Sequence, residues 1–245
     1  MASSSKLMGR AASRLKGAID YVAFWVRRRI FAWMYIRGGG LEVGALHLPL
    51  PVSPHVRVRY VDRMDIPELR KHYPELADRK LVPVHVIDDG EKLGSQPDES
   101  VDFIIVNHVI EHTEDPIGTI ANHLRVIRPG GVLYLGVPNR HRTFDIDRQP
   151  TPLEHLVRDY HEDPKWSRNL HLEEWARFVL KVPDEKIPTR VSELDAENYS
   201  IHYHVWDPDE FEAMLEYARK VAGLPFQLEA LRPNSHEFVV VLRRD

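Results

Sequence analysis

Between residues 101 and 139 the chain reads VDFIIVNHVIEH, then TEDPIGTIANHL, then RVIRPGGVLYLGVPN. Its two apolar runs are continuous rather than alternating, as strands buried on both faces require, and a helical span separates them. Two such strands joined by a helix run parallel, because the crossover returns the chain to the same end of the sheet. In an open α/β sheet, ligands sit beyond the carboxyl ends of the strands, which places Asn107, His108 and Asn139 where chemistry occurs.

The remaining pattern fits this unit. Short strands are predicted over residues 41–43, 57–61 and 81–86, with 101–106 and 132–137 as the fourth and fifth. Helices are predicted over 66–73 and 116–126, and Asp207-Pro208 opens another that runs to residue 222. Residues 226–231 and 237–243 read as a closing hairpin. Residues 140–200 break the rhythm: rich in His, Arg, Asp, Trp and Pro, they are too long for a connecting loop and read as a helical cap over the cleft. Residues 1–37 form an amphipathic, Arg-studded helical extension, expected to pack its Trp25, Phe31, Trp33 and Tyr35 face on the body and cover the ligand. The domain proper then spans 38–245. At 245 residues with 43% apolar content, one core with an insertion is expected.

Charge and composition exclude several classes. Residues 1–40 carry eight Lys or Arg against Asp20 alone, so a formal net charge of −4 leaves −11 on the remainder. An acidic body argues against nucleic acid as substrate. Asp20 and Arg27-Arg28-Arg29 interrupt the N-terminal apolar run, so no transmembrane span is expected, although contact with a membrane surface suits a basic amphipathic helix. There is no cysteine, which removes thiolate metal sites and fits a reducing, cytoplasmic compartment.

On Glu111-His112 and the Pro129-Gly130-Gly131 turn, residues 101–139 resemble the fourth and fifth strands of class I S-adenosylmethionine-dependent methyltransferases. The resemblance implies an α/β fold: a Rossmann-like, seven-stranded, mostly parallel sheet with a closing antiparallel hairpin. It also implies cofactor-binding residues. In GGGLEVGALHLPLP, residues 38–51, Glu42 and Gly44 match the acidic residue and glycine beside the methionine part of the cofactor. Ala45, Leu46 and Pro49 replace the usual further glycines, a variant that resembles a group linked to polysaccharide biosynthesis. In VRYVDR, Asp62 fits the acid that receives the ribose hydroxyls, with Arg63 bordering the adenine. In VIDDGEKL, Asp89 and Gly90 align beside the adenine; Asp88 competes, and the spacing to Leu93 favours Asp89. Asn107 and His108 line the methionine side.

HVIEH, residues 108–112, also matches the inverted zinc-protease pattern H-x-x-E-H. That pattern needs a continuous helix and a third ligand, so zinc between His108 and His112 is not expected.

Nine of the fourteen histidines lie between residues 108 and 204. Ionisable groups gathered near a strand's carboxyl edge are expensive to keep without use. Residues 140–160 and 198–206 resemble the corresponding regions of methyltransferases that act on sugars and glycans. The resemblance implies transfer to a hydroxyl of a saccharide or polysaccharide precursor. A weakly nucleophilic sugar hydroxyl needs a base, for which Glu154 and His155 are the first candidates and His141 the next, followed by His202 and His204. A divalent ion, Mg2+, held by Asp145 and Asp147 would assist. Lipid, quinone and other small-molecule acceptors, and a non-catalytic cofactor-binding module, remain open alternatives.

Overall fold

The computed structural model describes the backbone of residues 2–245 and the side chains of residues 19–245. The basic residues of the first sixteen positions therefore lie outside the described side chains. The first helix, α1, spans Ala2–Tyr35. Strands β1 (Gly39–Val43) and β2 (Arg57–Asp62) follow, then α2 (Ile66–His72) and β3 (Val86–Ile87). The unit read from the sequence comes next: β4 (Val101–Asn107), α3 (Pro116–Val126) and β5 (Ile127–Pro138). Helices α4 (Leu153–His161), α5 (Arg168–Glu174) and α6 (Ile187–Ala196) form the cap, and α7 (Pro208–Lys220), β6 (Phe226–Asn234) and β7 (Glu237–Arg244) close the chain.

The seven strands are ordered β3-β2-β1-β4-β5-β7-β6. β1 to β5 pair in parallel, whereas β7 pairs antiparallel with both β5 and β6. The order reverses between β1 and β4, which makes their carboxyl ends the switch point where an α/β sheet opens a crevice. The hairpin turns at Ser235, a non-glycine at φ +62°, and its ladder runs to the Asn234–Glu237 pair, which carries β6 three residues beyond the 231 expected from the sequence.

One strand is shorter than the sequence suggests. Of residues 81–86 only Val86 joins the ladder. Pro83 has no N–H to contribute, and the Val82 N–H donates instead to Leu46 O at 2.8 Å. This draws the segment towards the loop after β1.

That loop sets the second departure. The crossover from β1 to β2, residues 44–56, contains no helix. The face of the sheet left bare is covered by α1: Ala32 and Ile36, with Phe31 and Tyr35, pack on Phe103, Ile105, Tyr134, Val239 and Val241. The buried stripe is Phe24, Arg28 and Ala32 of α1, continued by Ile36 just past its end, one residue per turn. Trp33, expected to face the body, is exposed, because small Ala32 occupies the close approach to the sheet and turns its neighbour outward. On the other face, Ile104, Val106, Leu133 and Leu135 pack on Ile117, Ile120 and Leu124 of α3 and Phe211, Met214 and Leu215 of α7. α7 begins with a capping box between Asp207 and Glu210. Among the described residues, no helix is long and apolar enough to cross a membrane.

Arg28 is buried and paired with Glu237, itself buried at the start of β7. Arg28→Ala would strand a carboxylate inside the protein, and its remaining partners cannot replace the lost charge. Loss of about 3–5 kcal/mol of stability is expected in urea titrations; a loss below about 1 kcal/mol would show that the pair does not hold α1 in place.

Candidate functional site

At the switch point the polypeptide leaves both strands abruptly. Gly44 sits at φ +64°, and a Cβ there would meet Val109 Cγ2 at 2.8 Å, so only glycine lets the β1 loop lie this close to the end of β4. Glu42 points inward and accepts a hydrogen bond from the Leu50 N–H at 2.8 Å, which closes the loop. Its second oxygen has no partner. Burial pushes the Glu42 carboxyl up to about 7, against the Leu50 hydrogen bond and the charge of Arg28.

Asn107 ends β4 with both its amide oxygen and its amide nitrogen buried and unpartnered. The Asn107 amide lies close enough to Glu42 to help lower its carboxyl without a full hydrogen bond, and buried polar groups left short of partners in this way mark a place for a polar ligand. Gly136 of β5 permits this placement, since a Cβ there would lie 2.5 Å from Asn107 Oδ1.

His108 follows at φ +54°, a conformation that costs a non-glycine residue energy and clusters at functional sites. Its Nε2 lies 2.9 Å from Glu237 Oε2. Arg28 Nε donates to Glu237 Oε1 at 2.9 Å, and Asn234 Nδ2 donates to the same oxygen at 2.7 Å. Burial alone would raise the Glu237 carboxyl, but the hydrogen bonds from His108 and Arg28 and the charge of Arg28 hold it down at about 2. No sequence motif singles out Glu237. The available signal is an acidic residue at the head of an otherwise apolar strand.

Residues 110–112 form a single 3-10 turn, so HVIEH does not lie on the continuous helix that its metal-binding pattern needs. Glu111 is fully buried between His108 Nδ1 at 3.7 Å and His202 Nε2 at 3.9 Å. Neither of its oxygens has a hydrogen-bond partner. Burial raises its carboxyl despite both imidazoles. His112 packs on His202, with ring centroids 4.7 Å apart, and places Nδ1 2.7 Å from Ile201 O; burial, reinforced by His202, lowers it to about 3.

The cap reaches this edge through residues 201–206. Tyr203 N donates to Glu111 O at 2.8 Å, and Asn139 bridges to Trp206. Arg148 is wholly buried and fastens the segment, donating to His202 O at 2.9 Å, Tyr203 O at 3.1 Å and Asp145 Oδ1 at 3.0 Å. Asp145 Oδ2 lies 2.7 Å from His202 Nδ1. Burial would raise Asp145; the hydrogen bond and charge of His202 and the charge of Arg148 outweigh it and keep the carboxyl below its ordinary range. Asp145 orients the His202 imidazole through Nδ1, which leaves Nε2 on the side of Glu111.

The other sequence candidates are distributed as follows. Asp62 stands half-buried at the end of β2, its carboxyl raised by burial and restrained by Arg63. The Arg63 guanidinium leans on α2, within 2.6 Å of His72 Nε2 and 3.1 Å of Tyr73 Oη. Asp88 accepts from Ser95 and shapes the loop after β3, whereas Asp89 is exposed beside Lys92. Gly90 approaches β1, where a Cβ would meet Val43 Cγ1 at 2.9 Å. A cleft of about 400 Å³ opens beyond Asp89, between Glu91, Glu114, Asp115 and Asp163. Its lining does not include Glu42, Gly44, Asp62 or His108.

Of the expected bases, Glu154 is exposed and His141 is exposed beside Asp207 at 3.2 Å. His155 turns into the cap, 3.1 Å from His171 Nε2. The expected Mg2+ ligands are not brought together: Asp145 is engaged by Arg148 and His202, while Asp147 is exposed and pairs with Lys181. His202, a later candidate in the sequence, is oriented by Asp145 and Arg148, more than fifty positions earlier.

Residues 47–135 match the family model described as a methyltransferase domain. A Mycolicibacterium smegmatis protein described as a probable S-adenosylmethionine-dependent methyltransferase is 37% identical over 99 residues, which are 40% of this chain and 30% of that protein. The chain thus matches less than a third of the length of this relative. Both are similarities over part of the chain, to a methyltransferase domain and to an S-adenosylmethionine-dependent methyltransferase. Among solved structures, a possible histamine N-methyltransferase from Thermotoga maritima has a TM-score of 0.48 at 12% identity, over 92% of this chain and 89% of that one. An S-adenosylmethionine-dependent methyltransferase from Aquifex aeolicus has a TM-score of 0.45 at 16% identity, over 85% and 82%.

Glu42 makes stability depend on pH in a definite direction. A carboxyl whose pKa rises from 4.5 to about 7 on folding stabilises the fold below pH 4.5, and that contribution is lost as pH rises through 7. Glu42→Gln keeps the acceptor for Leu50 but cannot ionise. Between pH 5 and 8 its stability relative to the parent protein should therefore improve by about 2–3 kcal/mol in urea titrations; a pH-independent difference would show that Glu42 does not titrate in this range.

Proposed function

We propose that this chain is an O-methyltransferase that uses S-adenosylmethionine, with His202 as the proton acceptor and a saccharide or glycan precursor as the methyl acceptor. The observation that carries this reading is the buried Asp145–His202 pair beside Glu111, at the strand edge where Glu42 and Asn107 also leave polar atoms unpartnered. These open groups fit the cofactor. Asn107 offers one donor and one acceptor to the amino-acid end, and the Glu42 carboxylate suits its positive charge. Asp62 accepts from the ribose hydroxyls, Asp89 and Gly90 lie beside the adenine, and Gly44 and His108 border the methionine part. When bound, the cofactor supplies a sulfonium methyl, a strong electrophile.

The protein must align the acceptor oxygen and take its proton. Alignment by the cap and the strand edge supplies much of the acceleration. His202 is built to take the proton, since Asp145 fixes its tautomer and Arg148 holds both Asp145 and the backbone that carries the imidazole. The exposed ring of Phe144, 4.8 Å from His202 and 5.5 Å from Trp175, offers a face on which a sugar ring can stack. A lipid-borne acceptor is the second reading. It is favoured by Ile19, Val22, Val26, Ile30 and Trp33, which leave an apolar stripe of α1 exposed beside Arg29.

Turnover on a panel of sugar and lipid acceptors tests the assignment. His202→Ala should lower turnover by about 10²- to 10⁴-fold with cofactor affinity nearly unchanged, and Asp145→Asn should lower it in the same way by releasing the tautomer. Full activity of His202→Ala would remove the base from this position. In calorimetry, Asp62→Ala should weaken cofactor binding by about 1.5–3 kcal/mol, as expected for lost charge-assisted hydrogen bonds. Unchanged affinity would mean that the ribose does not lie at the end of β2, and binding without turnover on any acceptor would favour a non-catalytic module.

A further inference from the structure

The cap contains a second cluster of histidines that the proposed reaction does not use. His155 and Asp159 stand one turn apart on α4, His171 comes from α5, and His204 comes from the extended segment that follows α6. Four ligand atoms, one from each residue, lie within 4.8 Å of one another. His155 Nε2 is 3.1 Å from His171 Nε2 and 3.2 Å from Asp159 Oδ2, and His204 Nε2 is 3.8 Å from Asp159 Oδ2. A tetrahedral ion with bonds of about 2.0–2.1 Å places its ligand atoms about 3.4 Å apart. The measured edges bracket that value. We propose that His155, Asp159, His171 and His204 form a structural zinc site that staples the cap.

Several features fit this donor set. Asp159 is wholly buried and its Oδ2, aimed into the cluster, makes no hydrogen bond. Its other oxygen accepts from Ser167 Oγ at 3.2 Å, which fixes the carboxylate plane as an outer partner of a metal ligand does. A wholly buried carboxylate with an oxygen that makes no hydrogen bond is costly, whereas a divalent cation would neutralise it and take the imidazole nitrogens as further ligands. His204 Nε2 also lies 3.2 Å from Glu114 O, and its Nδ1 is unpartnered. Metal binding at Nε2 moves the ring proton to Nδ1.

Four protein ligands leave no open position, which is the pattern of structural rather than catalytic zinc. The location explains why one is useful. The cap has a small core of its own, Leu172, Trp175, Leu194, Ile201 and Tyr203, and the four ligands join three separate segments of it. Trp166 lies on His155 at 4.7 Å and is itself covered by Arg158 at 3.8 Å, which shields the cluster from water. Among the described residues two other groups could hold an ion: His108, His236 and Glu237, where Glu237 already pairs with Arg28 and His108, and Glu111, His112 and His202 at the switch-point edge.

The test does not depend on methyl transfer. Full-length protein, incubated with excess zinc and dialysed against metal-free buffer, should retain close to one zinc per chain by elemental analysis. His171→Ala and Asp159→Asn should lose it, and His112→Ala should keep it. A strong chelator should lower the Tm of the parent protein, with recovery on adding zinc but not magnesium. Where the variants fail to fold, cobalt(II) loaded into the chelator-treated parent protein should give the visible absorption of a tetrahedral ion with nitrogen and oxygen donors. Absence of retained zinc, loss of zinc in His112→Ala, retention in folded His171→Ala, a Tm indifferent to the chelator, or an octahedral cobalt spectrum would each overturn the site.

Discussion

Glu237 is the charge around which the switch-point edge is assembled. A carboxylate buried at the first position of an apolar strand is tolerable only with full compensation, and three different parts of the chain provide it. Arg28 comes from α1, Asn234 from β6 and His108 from the end of β4. The same contacts therefore seat the N-terminal helix, fix the hairpin and hold His108 in a backbone conformation that a non-glycine residue would otherwise leave. Arg28 also lies over Phe24, at 4.7 Å from the ring centroid, so its burial costs less than that of an isolated guanidinium.

A second constraint comes from the sheet. Strands buried on both faces need cover on both, and the loop crossover after β1 provides no helix for one of them. α1 takes that place and allows the β1 loop to stay short, closed on Glu42 and tied to residue 82. Where Ala45, Leu46 and Pro49 replace further glycines, the conformation of the loop is set by side-chain and long-range backbone bonds. On the opposite side, the cap supplies Arg148, buried with its donors spread over Asp145, Glu174 and two carbonyls. One guanidinium thus converts a long insertion into a rigid arm that carries His202 to the strand edge.

The parts of the fold legible in the sequence are those with local or periodic causes. β4 and β5 are visible as uninterrupted apolar runs, α3 from its Asp115-Pro116 start, and α7 from Asp207-Pro208. Propensity overstates the third strand because it does not show that Pro83 removes a donor and that Val82 bonds elsewhere. It also misplaces the buried face of α1, because large aromatics suggest burial, whereas the sheet accepts the small Ala32 and leaves Trp33 outside.

The site divides along the same line. By itself the sequence determined the α/β architecture and which residues stand at strand ends, Glu42, Asp62, Asn107 and His108, because strand termini follow from patterns read over a few residues. Only the tertiary structure decided which histidines face the switch point and which do not. His202 and His155 are equally plausible in composition, yet Asp145 and Arg148 aim the first at Glu111, while the second turns into the cap towards Asp159 and His171. Side-chain direction in a long insertion is set by ion pairs between residues distant in the chain, and their energy depends on burial, which no local pattern records.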